Sequence, residues 1–185
     1  FTGGGGKIEI GNIGTHAAAG AIRIGSGGSL NGSGSITGSV VNEGGMVSPG
    51  SSPGLLNISG DFTQLNGASM SLEISGLSMT QYDRLQISGN LTLGGDVPIS
   101  LVGGYVPNIG DRFDLFAISG SANVSANALR FANAPAALSL RSGYSSGVYS
   151  ITVIPTLAGD YDGNGRVENA DLVVWRSSFG SHSIA

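Results

Sequence analysis

One short pattern limits what this chain can fold into. "LNISGDFTQ" at 56–64 returns as "LQISGNLTL" at 85–93, and a shorter core returns in "LEISG" at 72–76 and "FAISG" at 116–120. Each copy carries two apolar residues two positions apart: Leu56 and Ile58, Leu72 and Ile74, Leu85 and Ile87, Phe116 and Ile118. In a strand that spacing places both side chains on one face. A Ser-Gly pair follows, where a bend costs little. A strand this short cannot bury its apolar face alone, so copies must stack on one another. The copies start at irregular intervals, so a coil of stacked strands and a β-sandwich both remain open.

The rest of the chain speaks the same language. Residues 1–50 hold short apolar pieces, "KIEI", "AIRI", "GSITGSVV" and "GGMV", between Gly and Ser punctuation. Their alternation is the period of half-buried strands. With 33 glycines in 185 residues, long helices are excluded, because each glycine weakens a helix by about 1 kcal/mol. "ALSLRSGYSSGVYSITVI" reads as two strands around a Ser/Gly turn, hence a hairpin within about 128–154. Pro155 ends the strand pattern, and "PTLAG" reads as a linker. These boundaries divide the chain into a β domain over 1–155 and a short second segment over 156–185.

Charge excludes several functions. The net charge is -4 and no basic run exists, which does not fit a phosphate-backbone partner. Without cysteine there are no disulfides, thiolate metal sites or cysteine nucleophiles. No apolar stretch has the roughly 18 residues of a membrane span. The start at Phe1 reads as a mature or excised fragment whose targeting signal lies outside the sequence.

Acidic residues are concentrated near the end. In "GDYDGNGRVENADLVVWRSSFG", counting Asp160 as position 1 puts Asp162 at 3, Asn164 at 5, Arg166 at 7, Glu168 at 9 and Asp171 at 12. Gly165 stands at position 6. This is the spacing of an EF-hand calcium loop. Calcium is a hard cation that takes six to eight oxygens, and alternate side chains of a tight loop supply them. Arg166 would contribute its backbone carbonyl, and Glu168 would reach the ion through water. Without a cation these carboxylates repel one another. A helix is expected to follow, with Leu172, Trp175 and Phe179 on one face and Gly180 as its stop.

Two resemblances follow from these stretches. "NEGGMVSPGSSPGLLNISGDFTQLNGASMSLEI", "YDRLQISGNLTLGGDVPISL" and "GDRFDLFAI" look like the C-terminal part of autotransporter-type passenger repeats and related secreted bacterial β-helix proteins. The likeness covers roughly residues 25–154. It implies a right-handed parallel β-helix (β-solenoid), closed by the C-terminal hairpin, on the cell surface or outside the cell. The expected fold class is therefore all-β, with a small EF-hand-like loop–helix module at the end. "DYDGNGRVENADLVVWRSSFG" resembles one calcium-binding repeat of a dockerin type I module, because position 12 is Asp and the apolar Leu172 follows it. That resemblance implies calcium ligands at Asp160, Asp162, Asn164, Arg166 (through its carbonyl) and Asp171. It departs from the family in showing one repeat rather than two. Asn169 and Ala170 also stand where cohesin-binding members often carry Ser-Thr.

The remaining candidates are weaker. His16 and His182 are isolated, and no G-x-S-x-G precedes a helical pattern. "FTGGGGKIEI" lacks the Gly-Lys-Ser/Thr ending of a phosphate loop. A glycosidase needs paired carboxylates, for which Asp83, Asp96, Asp111 and Asp114 are available. "YDRL" and "GDRFDL" instead suggest local Asp–Arg pairs. The expected function is thus a non-enzymatic extracellular or cell-surface structural protein, a β scaffold with a calcium-binding attachment module. Its partners would be a cohesin-like or other surface protein, or further copies of itself. A carbohydrate-active or polysaccharide-binding protein and a self-assembling surface-layer or filament subunit are the rivals.

Overall fold

The computed structural model describes residues 2–3, 7–10, 15–17, 20–50, 53–125, 128–157, 159–160 and 167–179, with side chains from residue 20 to residue 176. Aliphatic residues alternating with Ser, Thr and Asn form short strands, which the chain lays down in successive passes. The first pass gives β1 (Thr2–Gly3), β2 (Lys7–Ile10) and β3 (Thr15–Ala17). The second gives β4 (Ile22–Ile24), β5 (Ser29–Gly32) and β6 (Gly34–Thr37), and the third β7 (Val40–Asn42), β8 (Met46–Pro49) and β9 (Leu55–Ile58). The fourth gives β10 (Phe62–Gln64), β11 (Ser69–Met70), β12 (Leu72–Ile74) and β13 (Arg84–Ile87). The fifth gives β14 (Leu91–Leu93), β15 (Val97–Leu101) and β16 (Arg112–Ile118). After β17 (Ala122–Val124) and β18 (Leu129–Phe131) come the long strands β19 (Leu138–Ser145) and β20 (Val148–Pro155), then one helix, α1 (Asn169–Phe179).

The strands of the described residues sort into four sheets. One has six strands in the order β1-β4-β7-β10-β14-β17, one has four in the order β11-β8-β5-β2, and one has three in the order β12-β15-β18. The largest has seven, in the order β19-β20-β16-β13-β9-β6-β3. The first three sheets are parallel throughout. In the seven-stranded sheet, β20 runs antiparallel to β16 and β19 antiparallel to β20.

This layout corrects the expected fold class. A right-handed parallel β-helix closed by a hairpin would carry continuous parallel faces along its length. Here one face is broken at Ser71, between β11 of the four-stranded sheet and β12 of the three-stranded sheet. The largest sheet is mixed, and its hairpin extends the sheet by two antiparallel strands instead of closing an end. The reason is physical. Apolar alternation tells which face of a strand is buried, but its neighbour is set by the length of each connection. Those lengths change from pass to pass.

The predominantly β character is clear, and the repeats show how the core is filled. Leu56, Leu85 and Phe116 are register partners across β9, β13 and β16, as are Ile58, Ile87 and Ile118. Three of the four sequence copies therefore stack in one sheet. The fourth, Leu72 with Ile74, lies in the three-stranded sheet opposite Ile99 and Leu101. All of these except Leu101 are buried, together with Phe62, Phe113 and Met70. Burying a side chain of this size contributes roughly 1.5–3 kcal/mol. Tyr82 and Tyr105 both meet Phe113 edge-on, with ring centroids 5.3 and 6.5 Å away.

Two polar side chains inside the stack are partnered. Asn42 and Gln64 are fully buried register partners on β7 and β10. The Asn42 amide donates to Ser69 O at 3.0 Å, and the Gln64 amide donates to Asp96 O at 3.1 Å. The Gly45 N–H donates to Asn42 Oδ1 at 2.9 Å. Left unpaired, each such group would cost about 1–3 kcal/mol.

The Ser-Gly corners form a second ladder that the sequence pattern did not reveal. Ser39 Oγ accepts from Asp61 N at 3.0 Å, Asp61 Oδ1 from Asn90 N at 2.7 Å, and Asn90 Oδ1 from Ser121 N at 2.9 Å. Each polar side chain thus binds the backbone of the next pass at the same corner. The preceding glycine makes room for it. A Cβ at Gly89 would overlap Asp61 Oδ1, and one at Gly120 would lie 2.5 Å from Asn90 Oδ1.

Candidate metal centre

The acidic segment lies beyond the sheets. Of the expected ligands, Asp160, Glu168 and Asp171 are described, whereas Asp162, Asn164 and Arg166 lie outside the described residues. The helix start is built around Asp171. Glu168 immediately precedes α1, and Asp171 is its third residue. Asp171 Oδ2 accepts the Glu168 backbone N–H at 2.6 Å, and Asp171 N donates back to Glu168 O at 3.1 Å. This reciprocal arrangement is the backbone-directed half of a capping box, and it favours a negative charge at the helix N-terminus. Asp171 is only 2 % exposed. Few aspartates are so buried without a partner of strong chemistry.

The two ends of the loop meet. Gly159, beside Asp160, lines the same open depression of about 340 Å³ as Val167, Glu168, Asp171, Leu172 and Trp175. Gly159 has a φ of +98°, and a Cβ there would lie 3.3 Å from Val167 Cγ1. Carboxylates thus stand at both ends of a short loop, Asp160 at one and Asp171 at the other, the second fixed by the helix it starts. Among the described residues alone, no group of three or more His, Asp or Glu side chains converges on one point. Leu172 and Trp175 share the expected face but remain 42 % and 41 % exposed. The Phe179 and His16 side chains and all of His182 lie outside what is described.

The four aspartates considered for glycoside chemistry are engaged separately. Asp114 pairs with Arg112 at 2.8 Å, and Asp96 pairs with Arg130. Asp111 Oδ2 accepts from the Tyr105 hydroxyl at 3.1 Å and from Asn108 N at 2.8 Å. Burial, the Asp111 hydrogen bond and its charge push Tyr105 up to about 12. Local Asp–Arg pairing therefore holds for Asp114 and fails for Asp111.

It fails for Asp83 as well, which turns inward and is 2 % exposed. Asp83 Oδ1 accepts from Gly54 N at 2.7 Å and Oδ2 from Glu73 N at 2.9 Å. Burial pushes its carboxyl up to about 7, against the two backbone donors and aided by the Glu73 charge. Sequence signalled only a carboxylate beside an arginine. Its neighbour Tyr82, an aromatic residue bound for the core, was the available hint that this turn points inward.

No protein-family model matches the chain, and no curated protein matches it. No helix among the described residues is long and apolar enough to cross a membrane.

Proposed function

We propose that the chain is a non-enzymatic structural protein of the extracellular space or cell surface, in which a stacked-strand scaffold carries a calcium-dependent attachment segment. The observation that carries this reading is Asp171: a buried carboxylate at position 12 of an EF-hand spacing, anchored at the start of α1. Asp160, Asp162, Asn164, Asp171 and the Arg166 carbonyl would hold the ion, with Glu168 contributing through water. The cation would neutralise the clustered carboxylates and tie the loop to α1. Millimolar extracellular calcium suits sites of this type. Attachment to a cohesin-like or other surface protein, or to another copy of the chain, follows from the dockerin resemblance. The separate engagement of Asp96, Asp111 and Asp114 supports a structural role for these carboxylates over sugar cleavage.

Calorimetric titration with calcium tests the loop directly, and sedimentation velocity with calcium or chelator tests what it does. One saturable site is expected, weakened at least tenfold by Asp160→Ala and by Asp171→Ala. A monomer that sediments almost unchanged supports an attachment segment, while calcium-dependent growth supports self-assembly. Absence of calcium uptake, or uptake indifferent to both substitutions, removes the reading.

A further inference from the structure

The end strands of the four sheets differ in length. β1 and β17 of the six-stranded sheet have two and three residues, and β11 and β2 of the four-stranded sheet have two and four. β12 and β18 of the three-stranded sheet have three each, as has β3 at one end of the largest. β19, at the other end of that sheet, has eight. A short edge offers another chain little to pair with, and long edges are usually blunted by Pro, Lys or a bulge. β19 contains neither Pro nor Lys, and its pairing with β20 runs from Leu138 to Ser145 without a register shift. Among the described residues no strand lies on its other side.

The ladder shows which backbone groups that free side presents. Val153 N donates to Asp111 O at 2.8 Å, and Val153 O accepts from Gly110 N at 2.9 Å, so the Val153 backbone faces the chain entering β16. Backbone groups alternate sides along a strand, so those of Thr152 face β19, where its register partner is Arg141. Arg141 therefore turns its N–H and C=O toward β20, and Leu140, Ser142 and Tyr144 turn theirs outward. The side chains of these three share one face of the strand, running from buried Leu140 to Tyr144, which is 43 % exposed. Arg141, the only charged residue of β19, shares the opposite face with Gly143. Where a Cβ would stand on Gly143 there is open space.

We propose that β19 docks a second copy of this chain: the two β19 strands pair antiparallel about a twofold axis at Ser142, joining the two largest sheets into one. The strand is complementary to itself in this register. Outward backbone groups meet outward backbone groups at Leu140, Ser142 and Tyr144, which completes the ladder. Leu140 lies opposite the partner's Tyr144, and the twofold makes that apolar pair twice. Ser142 lies opposite the partner's Ser142, hydroxyl to hydroxyl. Arg141 lies opposite the partner's Gly143, whose open side leaves room for it. An axis one residue earlier would set Arg141 against the partner's Arg141. An axis one residue later would set Leu140 against the partner's Ser146 in the hairpin turn and shorten the ladder. The contact uses nothing from the acidic segment, so it needs no calcium.

Sedimentation velocity of the intact chain in chelator, diluted from near-millimolar to low micromolar concentration, is expected to show a monomer–dimer equilibrium that added calcium leaves in place. Gly143→Lys sets a like charge opposite the partner's Arg141 at both ends of the contact and should weaken the dimer about threefold or more. Gly143→Glu should tighten it by a similar factor. The chain has no cysteine, so mixing Arg141→Cys with Gly143→Cys reads the register. The mixture should form a disulfide-linked dimer under mild oxidation. Neither variant alone should, because diagonal neighbours stand about 7–8 Å apart, beyond the reach of a disulfide. A monomer at every concentration, or association that appears only with calcium, overturns the proposal. So does a dimer on which Gly143→Lys and Gly143→Glu act alike, or one that a single cysteine variant cross-links as readily as the mixture.

Discussion

At the corner before β10, β14 and β17, successive passes turn at the same two positions, a glycine and then a polar residue: Gly60-Asp61, Gly89-Asn90 and Gly120-Ser121. At the corner after β8, β12 and β15, no two passes turn on the same length. There the connections are 50–54, 75–83 and 102–111, followed by 132–137 after β18. The first corner is held by side chains that each bind the next pass's backbone. The second is held by individual devices: the Asp83 carboxyl on Gly54 and Glu73, the Tyr82 and Tyr105 edges against Phe113, and Asp111 at the base of its loop. A repeated corner acts as glue, because every pass offers and uses the same groups. A variable corner frees each pass to present something different. Leu77, Met79, Val106 and Ile109, all more than half exposed, lie on it.

The largest effect that separates the corners is expected at Gly50. Its φ is +95°, and a Cβ there would lie 2.6 Å from Asp83 Oδ1 and closer still to Gly54 N. Neither the Gly54 backbone nor the Asp83 carboxyl, held by two backbone N–H groups, can retreat, so Gly50→Ala combines backbone strain with overlap and should cost about 3 kcal/mol or more. Gly67→Ala is the control. Its φ is +87°, with nothing within 4 Å, so only the strain of about 1–2 kcal/mol remains. Urea denaturation of both variants measures the difference. Equal losses would show that the Gly50–Gly54–Asp83 contact contributes nothing.

The next effect is a pH dependence assigned to the variable corner. The Asp83 carboxyl is raised from 3.8 to about 7 by burial. Between those values the folded chain keeps a proton that the unfolded chain has lost, so stability falls as pH rises. Below about 4 both forms are protonated, and above about 7 both are ionised, so the contribution is level outside the window. The loss across the window is on the order of a few kcal/mol. Comparing denaturation midpoints of the unaltered chain and Asp83→Asn from pH 4 to pH 8 isolates it. Parallel curves for the two proteins would assign the pH dependence to other carboxylates.

This contrast also marks what the sequence could convey. The pairs Leu56/Ile58, Leu85/Ile87 and Phe116/Ile118 announced strands sharing a face, and they share one sheet. Leu72/Ile74 looked identical and went elsewhere, because the short β11 and the break at Ser71 reassign its neighbours. Local alternation carries no information about that. The same limit undid the expected β-helix: a turn's composition shows that the chain bends, but not which strand it meets afterwards. The EF-hand spacing could be read as a spacing because its residues are close together in sequence. Asp83 could not be read in this way, because its partners at Gly54 and Glu73 become neighbours only through the fold.

The smallest effect tests whether the repeated corner is glue. Asn90 both receives and gives: its N–H donates to Asp61 Oδ1 and its Oδ1 accepts from Ser121 N. Asn90→Ala removes the acceptor of Ser121 N and Oγ and the Nδ2 donor to Asp61, all at an exposed corner where water can partly replace them, so the loss should be about 1 kcal/mol. Asp61→Asn keeps an oxygen for Asn90 N and should cost only a few tenths of that. If charge held the ladder, Asp61→Asn would be the more damaging change and salt would weaken the unaltered protein. If geometry holds it, the order stands and salt has little effect. The interchange of Ser, Asp and Asn at successive passes favours geometry, since a hydroxyl, a carboxylate and an amide share only an oxygen that accepts an N–H.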